Sequence, residues 1–325
     1  MGVLRSALLT ALPLVAAQTA PFANSTGNST VPAGYESSPP KYPSPWGEGL
    51  GDWADAYAKA RDFVSQLTLT EKVNLTTGVG WEGEKCVGNN GEIPRLGFRA
   101  LCMQDSPLGV RFADFVTAFP AGVTAATTWD RALNYLRGFD MGSEHHAKGV
   151  DVQLGPVVGP IGRSPEGGRN WEGFSPDPVL SGILVAETVK GIQKAGVMAC
   201  TKHYIGNEQE HFRQGPPPSY LTAAISSNID DVTMHELYIW PFADAVRAGT
   251  ASIMCSYNQL NNSYACQNSY IQNYLLKEEL GFQGFIMSDW SAQHAGVSTA
   301  LAGLDMTMPG DEGFDSGTSY WVSTA

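Results

Sequence analysis

Hydrophobic and polar positions fall into a unit that recurs along the chain: an amphipathic helix pattern, a glycine, a short apolar run, then a polar cluster. Helical periodicity covers residues 52–67, 128–148, 178–194, 231–248 and 270–280, and Asp177-Pro178 offers a cap with proline in the first turn. Gly149, Gly196, Gly249 and Gly281 follow four of these patterns, where a helix end turns left-handed. The apolar runs 150–154, 197–200, 252–255 and 284–287 then read as buried strands. Strands alternating with helices predict an α/β fold with parallel pairing and helical crossovers. Two architectures fit, a closed eightfold TIM-type barrel and an open doubly wound sheet. The barrel is preferred because no Gly-x-Gly-x-x-Gly phosphate turn follows any of these strands.

The first residues differ in kind. Arg5 precedes an apolar run over 7–15 that ends in Ala16 and Ala17, the pattern of a signal peptide over 1–17. That run is short of the roughly 20 apolar residues that cross a bilayer. Residues 18–47, rich in Ser, Thr, Asn and Pro, read as a flexible leader, and 48–325 as the folded domain. Sequons at Asn24, Asn28, Asn74 and Asn261 are candidate glycan sites and agree with a secreted, extracellular protein. A formal charge of −12 and a pI near 4.9 argue against nucleic acid and anionic membrane as partners. The five cysteines fall as Cys86 with Cys102, Cys200 alone, and Cys255 with Cys266, which in an oxidising compartment predicts two disulfides and a buried, inert thiol. No C-x-x-C pair is present, and Glu144-His145-His146 reads as helix surface, so no metal site is expected.

In a barrel the loops after the strands share one face, and that brings the polar clusters together. They are Asp105 to Arg111, Glu166 to Glu172, Lys202-His203, Ser256-Tyr257-Asn258 and Ser288-Asp289-Trp290. Carboxylates, cations, amides and aromatic rings, with no Ser-His-Asp order and no phosphate cradle, suit a hydroxyl-rich ring with apolar faces. The chemistry is that of a carbohydrate site and needs no cofactor.

Four stretches carry a family resemblance: Gln104-Asp105-Ser106-Pro107-Leu108-Gly109-Val110-Arg111, Gly168-Arg169-Asn170-Trp171-Glu172-Gly173-Phe174, Lys202-His203-Tyr204-Ile205-Gly206-Asn207-Glu208-Gln209-Glu210 and Gly284-Phe285-Ile286-Met287-Ser288-Asp289-Trp290. Together they resemble the secreted fungal β-glucosidases of glycoside hydrolase family 3, over nearly everything after the leader. The resemblance implies a retaining hydrolase of terminal β-D-glucosyl residues, acting on cellobiose, β-glucans or glucosides in polysaccharide breakdown. It implies Asp289 as the catalytic nucleophile and Asp105, Arg169, Lys202 and His203 as ligands of the glucose hydroxyls. It places Arg111, Met254 and Tyr257 nearby and Trp290 as an aromatic wall. Lys202, His203 and Arg169 are expected to hold the Asp289 carboxylate ionised, at a lowered pKa. β-Xylosidase is the nearest alternative inside the family, and a non-catalytic glucoside-binding remnant is the alternative outside enzymology.

A retaining mechanism also needs an acid/base carboxyl about 5–5.5 Å from the nucleophile. Glu166, Glu172, Glu208 and Glu210 are candidates by spacing. The resemblance instead implies a glutamate on an α/β sandwich domain that docks after the barrel. The chain ends at Ala325, and reads as a barrel cut before its last helix, without that domain. Gly215-Pro216-Pro217-Pro218 reads as a shortened loop near the site.

Overall fold

A computed structural model describes residues 37–82, 86–105, 107–215, 223–311 and 319–321. The expected signal peptide, the leader up to residue 36 with Asn24 and Asn28, and the prolines at 216–218 lie outside the described residues.

The helices are α1 (Ala54–Val64), α2 (Leu69–Thr76), α3 (Gly122–Ala126), α4 (Arg131–Ala147), α5 (Pro178–Lys194), α6 (Asp231–Thr233), α7 (Trp240–Arg247) and α8 (Val297–Leu301). The strands are β1 (Gly88–Asn89), β2 (Cys102–Gln104), β3 (Val152–Gln153), β4 (Met198–Tyr204), β5 (Ser226–Ser227), β6 (Ser252–Cys255), β7 (Gln259–Leu260), β8 (Ser263–Tyr264) and β9 (Phe285–Ser288). Helix starts follow their caps: Asp130 Oδ1 accepts from Leu133 N–H at 3.0 Å, and Asp177 Oδ1 from Val179 N–H at 2.8 Å. Gly149, Gly196, Gly249 and Gly281 have φ of +80°, +90°, +81° and +65°, the left-handed turn expected at each helix end.

One curled sheet has the order β1-β2-β3-β4-β6-β9, with β2 to β9 parallel and β1 antiparallel. Beyond its edges two short segments continue the ladder. Met306 pairs with Met287 of β9, Thr307 with Thr77, and Gly78 with Asn90 beside β1. Met306 N–H donates to Ile286 O at 3.0 Å, Gly78 N–H to Thr307 O at 2.9 Å, and Val79 N–H to Asn89 O at 2.9 Å. The expected barrel is present, with one of its positions taken by an antiparallel strand. At the seam a Cβ on Gly78 would strike the Pro309 carbonyl, and one on Gly310 the Gly78 carbonyl, so only glycine admits this approach of two backbones. Inside lie Met103, Val152, Leu154, Met254 and Met287, and outside, between sheet and helices, Val185, Val189, Ile192, Phe242, Ile253 and Ile286.

Three expectations are corrected. The helix read over 231–248 is broken: a π-turn spans Met234–Tyr238 and α7 begins anew, because Pro241 has no N–H to continue the ladder. His145 is not on the surface, since α4 turns it inward to full burial, with Nδ1 bonded to Met141 O at 2.8 Å. The described end of the leader is tied down. Asn268 donates to Ser38 Oγ at 3.0 Å, Asn273 to Lys41 O at 2.9 Å, and Lys41 N–H to Ser269 Oγ at 3.0 Å. A polar segment builds no core, yet the Lys41 carbonyl satisfies the Asn273 amide of the helical turn Tyr270–Glu279.

Candidate active site

A cavity of about 590 Å³ opens at the C-terminal ends of the parallel strands. Its lining includes Asp105, Arg111, Arg169, Lys202, His203, Met254, Tyr257, Asp289 and Trp290. All nine residues singled out from the sequence therefore share one pocket. Asp105 follows β2, Lys202 and His203 end β4, Met254 and Tyr257 come from β6 and its loop, and Asp289 and Trp290 follow β9. Parallel strands deliver these side chains from five places in the sequence to one rim.

Lys202, 4 % exposed along its side chain, donates to Asp105 Oδ1 at 3.1 Å, and Arg111 donates to Asp105 Oδ2 at 3.1 Å. Burial alone would raise the Asp105 pKa, but these two cations outweigh it and hold the carboxyl below its usual range. Arg169 grips Glu172 through two bonds of 2.6 and 2.8 Å. This bidentate pair overcomes burial and raises the guanidinium pKa.

His203 is fully enclosed. Its Nδ1 lies 2.8 Å from Gly159 O, and a carbonyl only accepts, so Nδ1 carries the proton. Arg169 donates to the opposite nitrogen, Nε2, at 3.2 Å. Burial first, then Arg169 and Lys202, push the imidazole pKa well below its ordinary value, so His203 is neutral.

Asp289 departs from expectation. Its pKa is raised, because burial outweighs Lys202, Arg169 and Arg213. Sequence reasoning counted His203 as a cation and took no account of pairing. His203 is neutral, Lys202 is bonded to Asp105, and Arg169 to Glu172. Asp289 Oδ1 accepts from the Trp290 N–H at 2.7 Å, and the buried Tyr257 lines the same cavity, its phenol pKa raised by burial and then by the Asp289 charge. Trp290 is fixed by its indole N–H on Val87 O at 3.2 Å and stands edge-on to Trp81, with centroids 6.5 Å apart.

The four candidate glutamates separate. Glu166 is exposed and does not line the cavity. Glu208 accepts from the backbone N–H groups of Ile161, Gly162 and Arg163 at 2.8, 3.2 and 3.4 Å, and so shapes a loop. Glu172 and Glu210 line the cavity, Glu172 held by Arg169 and Glu210 by Arg213 at 2.8 Å. Sequence reasoning gave no role to Trp81, Trp171 or Arg213, all in the lining. Arg213 sits three residues past Glu210 in the same polar loop, a signal that could have found it; Trp81 lies in a stretch without recognisable pattern.

The expected disulfides Cys86–Cys102 and Cys255–Cys266 are formed. Cys200 is buried, and burial pushes its thiol up to about 12, which leaves it unreactive. Asn74 is exposed, while the Asn261 amide is bonded at both ends to the Ile229 backbone, at 2.8 and 3.1 Å.

This barrel, with a carboxylate and cation-lined pocket at its strand ends, has known counterparts. Residues 84–314 match the glycosyl hydrolase family 3 N-terminal domain, and the chain belongs to that family. Among curated relatives, "Probable beta-glucosidase A" of Aspergillus niger is 68 % identical over 87 % of this chain and 34 % of its own length. "Beta-glucosidase A" of Aspergillus kawachii is 67 % identical over the same shares. Among solved structures, a Chaetomium thermophilum β-glucosidase superposes with TM-score 0.87 at 66 % identity, over 88 % of this chain and 34 % of that one. β-Glucosidase 3B of Thermotoga neapolitana, in complex with glucose, gives TM-score 0.71 at 37 % identity, over 77 % and 36 %. The chain thus spans about a third of the length of these relatives.

Proposed function

We propose that this chain is the nucleophile-bearing barrel of a secreted, retaining β-glucosidase acting on terminal β-D-glucosyl residues of glucosides and β-glucan oligosaccharides. The observation that carries the reading is the placement of Asp289 in one pocket with Asp105, Arg169, Lys202 and His203. Asp105, with both oxygens already charged and oriented by Lys202 and Arg111, is suited to accept two neighbouring sugar hydroxyls. Lys202 Nζ and His203 Nε2 offer a donor and an acceptor beside it, and Trp290 gives a flat apolar wall. A sugar entering this pocket displaces water, so contacts that tighten as the ring flattens toward an oxocarbenium ion lower the barrier.

In the first step an Asp289 oxygen bonds to the anomeric carbon as the glycosidic C–O bond breaks, and the aglycone oxygen takes the electron pair and a proton. In the second step a water oxygen bonds to the anomeric carbon as its bond to the Asp289 oxygen breaks, and the water proton goes to the group that gave its proton in the first step, now the base. None of the four barrel glutamates suits the proton donor: two are ion-paired, one is tied to backbone, one is outside the pocket. That supports the reading in which the acid/base glutamate belongs to a docking domain beyond the barrel.

The test is intact-mass and peptide analysis after incubation with 2,4-dinitrophenyl 2-deoxy-2-fluoro-β-D-glucoside. Its leaving group needs no protonation, so the label forms without an acid. A covalent fluoroglucosyl group on Asp289 is expected. A label elsewhere, or none on a chain that still binds glucose, would favour the non-catalytic glucoside-binding reading.

A further inference from the structure

Arg213 belongs to the loop after β4 and lines the cavity. Its guanidinium carbon sits 4.5 Å from the centroid of the Tyr257 ring, stacked over the aromatic face. Its Nη1 is bonded to Glu210 Oε2 at 2.8 Å, and its backbone N–H to Glu210 O at 3.2 Å. Glu210 is itself anchored: its N–H donates to Gly167 O at 2.9 Å, and its other oxygen lies 3.9 Å from Arg169 and 3.4 Å from the Asn207 amide. Tyr257, 5 % exposed, lines the cavity together with Asp289, whose charge adds to burial in raising the phenol pKa. A continuous path therefore runs from the loop after β3, through Glu210 and Arg213, to the face of Tyr257 and the carboxylate.

We propose that Arg213 is a positioning residue for glycosylation of Asp289, holding Tyr257 from above so that the phenol orients the attacking carboxylate. This rests on Asp289 being the nucleophile. Two side-chain torsions set the plane of the phenol ring, and the guanidinium stacked on one face holds it there. Unlike an aliphatic cover it also brings a positive charge toward Asp289 and Tyr257. The charged and titratable groups around Asp289 are Lys202 and His203 from β4, Arg169, Glu172 and Glu210 from the adjoining loops, Asp105 after β2, Tyr257, and the Cys200 thiol beneath. Each cation has its own carboxylate, Arg111 and Lys202 on Asp105, Arg169 on Glu172 and Arg213 on Glu210, and Arg213 is the one stacked on the Tyr257 ring.

The experiment measures the pH dependence of inactivation by the dinitrophenyl fluoroglucoside, in which the Asp289 oxygen–C1 bond forms as dinitrophenolate departs with its electron pair. It compares the unaltered full chain with Arg213→Gln, Arg213→Lys, Tyr257→Phe and the double variant Arg213→Gln/Tyr257→Phe. Arg213→Gln is expected to lower the limiting rate roughly tenfold and to move the acidic limb to higher pH, with the half-saturating concentration little changed. Arg213→Lys restores the limb, which needs the charge, but not the full rate, which needs the flat guanidinium face. In the Tyr257→Phe background the rate loss from Arg213→Gln shrinks, because the two act through one phenol. A merely structural role lowers the reactive fraction at every pH and leaves the limb in place; that outcome, or full additivity of the two substitutions, overturns the proposal. If the unaltered chain labels at Asp289 and Arg213→Gln matches it in rate and limb, this inference fails while the nucleophile assignment stands. If the unaltered chain labels at another residue, both fall.

Discussion

His203 turns an unprotonated nitrogen toward Asp289: Nε2 lies 3.7 Å from Oδ2, and Nδ1 is the nitrogen that carries the proton. The pair looks like a salt bridge by distance and is none by chemistry. The imidazole can accept from Arg169, or from a sugar hydroxyl, but it gives the carboxylate no charge. Together with burial, this leaves Asp289 weakly stabilised as an anion. An anion held less tightly by its surroundings is also the better nucleophile once the sugar has expelled water.

The first prediction concerns Asp289 and pH. Its folded-state pKa is raised, so folding favours the neutral acid. That contribution is complete below the unfolded pKa of about 3.9 and is lost as pH rises through the folded value. Asp289→Asn, neutral at every pH, should therefore abolish covalent labelling yet raise the melting temperature above that of the unaltered chain at pH 7. The gap should close on acidification. Thermal melts at pH 4 and pH 7 check this, and a variant less stable at pH 7 contradicts it.

Lys202 has the opposite sign. Removing its ammonium as Lys202→Met leaves Asp105 with Arg111 alone, in a site where Lys202 is buried. A cost of about 2–4 kcal/mol in urea unfolding at pH 7 is expected, at the lower part of the range for a broken buried pair because Arg111 remains. Asp105 has a lowered folded pKa, so its pairing is fully present above about 3.9 and lost as pH falls through the folded value. The difference between variant and unaltered chain should narrow at low pH. Equal differences at pH 7 and pH 3 reject the assignment of the cost to this pair.

Much of this was legible in the sequence for definite reasons. The period of 3.6 and the terminal glycines mark α4 and α5 because each buries one face and ends left-handed. The polar runs after the strands mark the pocket because a parallel barrel has one functional rim. The closing segments at 76–79 and 304–308 escaped detection, since a few bridging hydrogen bonds leave no hydropathy pattern. The Asp289 pKa was misread because a sequence shows which charges exist but not which carboxylate each cation has joined; here Arg169 went to Glu172 and Lys202 to Asp105. Trp81 reaches the site only through the seam, and nothing local announces it.

The Cys255–Cys266 disulfide closes a short loop, 11 residues apart, that contains Tyr257 and Asn258. Chain entropy assigns such a loop about 2–3 kcal/mol. The double change Cys255→Ser/Cys266→Ser should lower the melting temperature by roughly 4–10 °C and slow labelling of Asp289, because Tyr257 loses its tether. Differential scanning calorimetry and labelling rates test the two halves separately; unchanged labelling would show that the β6 loop holds Tyr257 without the crosslink.

The seam of the barrel gives the last prediction. Gly78 and Gly80 lie two residues apart in the same closing segment but for different reasons. At Gly78 a Cβ meets the backbone carbonyl of Pro309, and backbone cannot rotate away as a side chain can. At Gly80 φ is +110° and a Cβ meets nothing within 4 Å, so the cost there is conformational strain alone. Gly80→Ala should therefore cost about 1 kcal/mol, and Gly78→Ala about 2–3 kcal/mol or more, because it must push the 304–310 segment off its partner. That segment carries Met308, whose N–H donates to Ser288 Oγ at 2.8 Å, directly before Asp289. Opening the seam at Gly78 should thus also slow Asp289 labelling, whereas Gly80→Ala leaves that rate nearly unchanged. Urea unfolding and the labelling rate, measured on both variants, decide it: equal stability losses would mean that the ring does not depend on this contact for its closure.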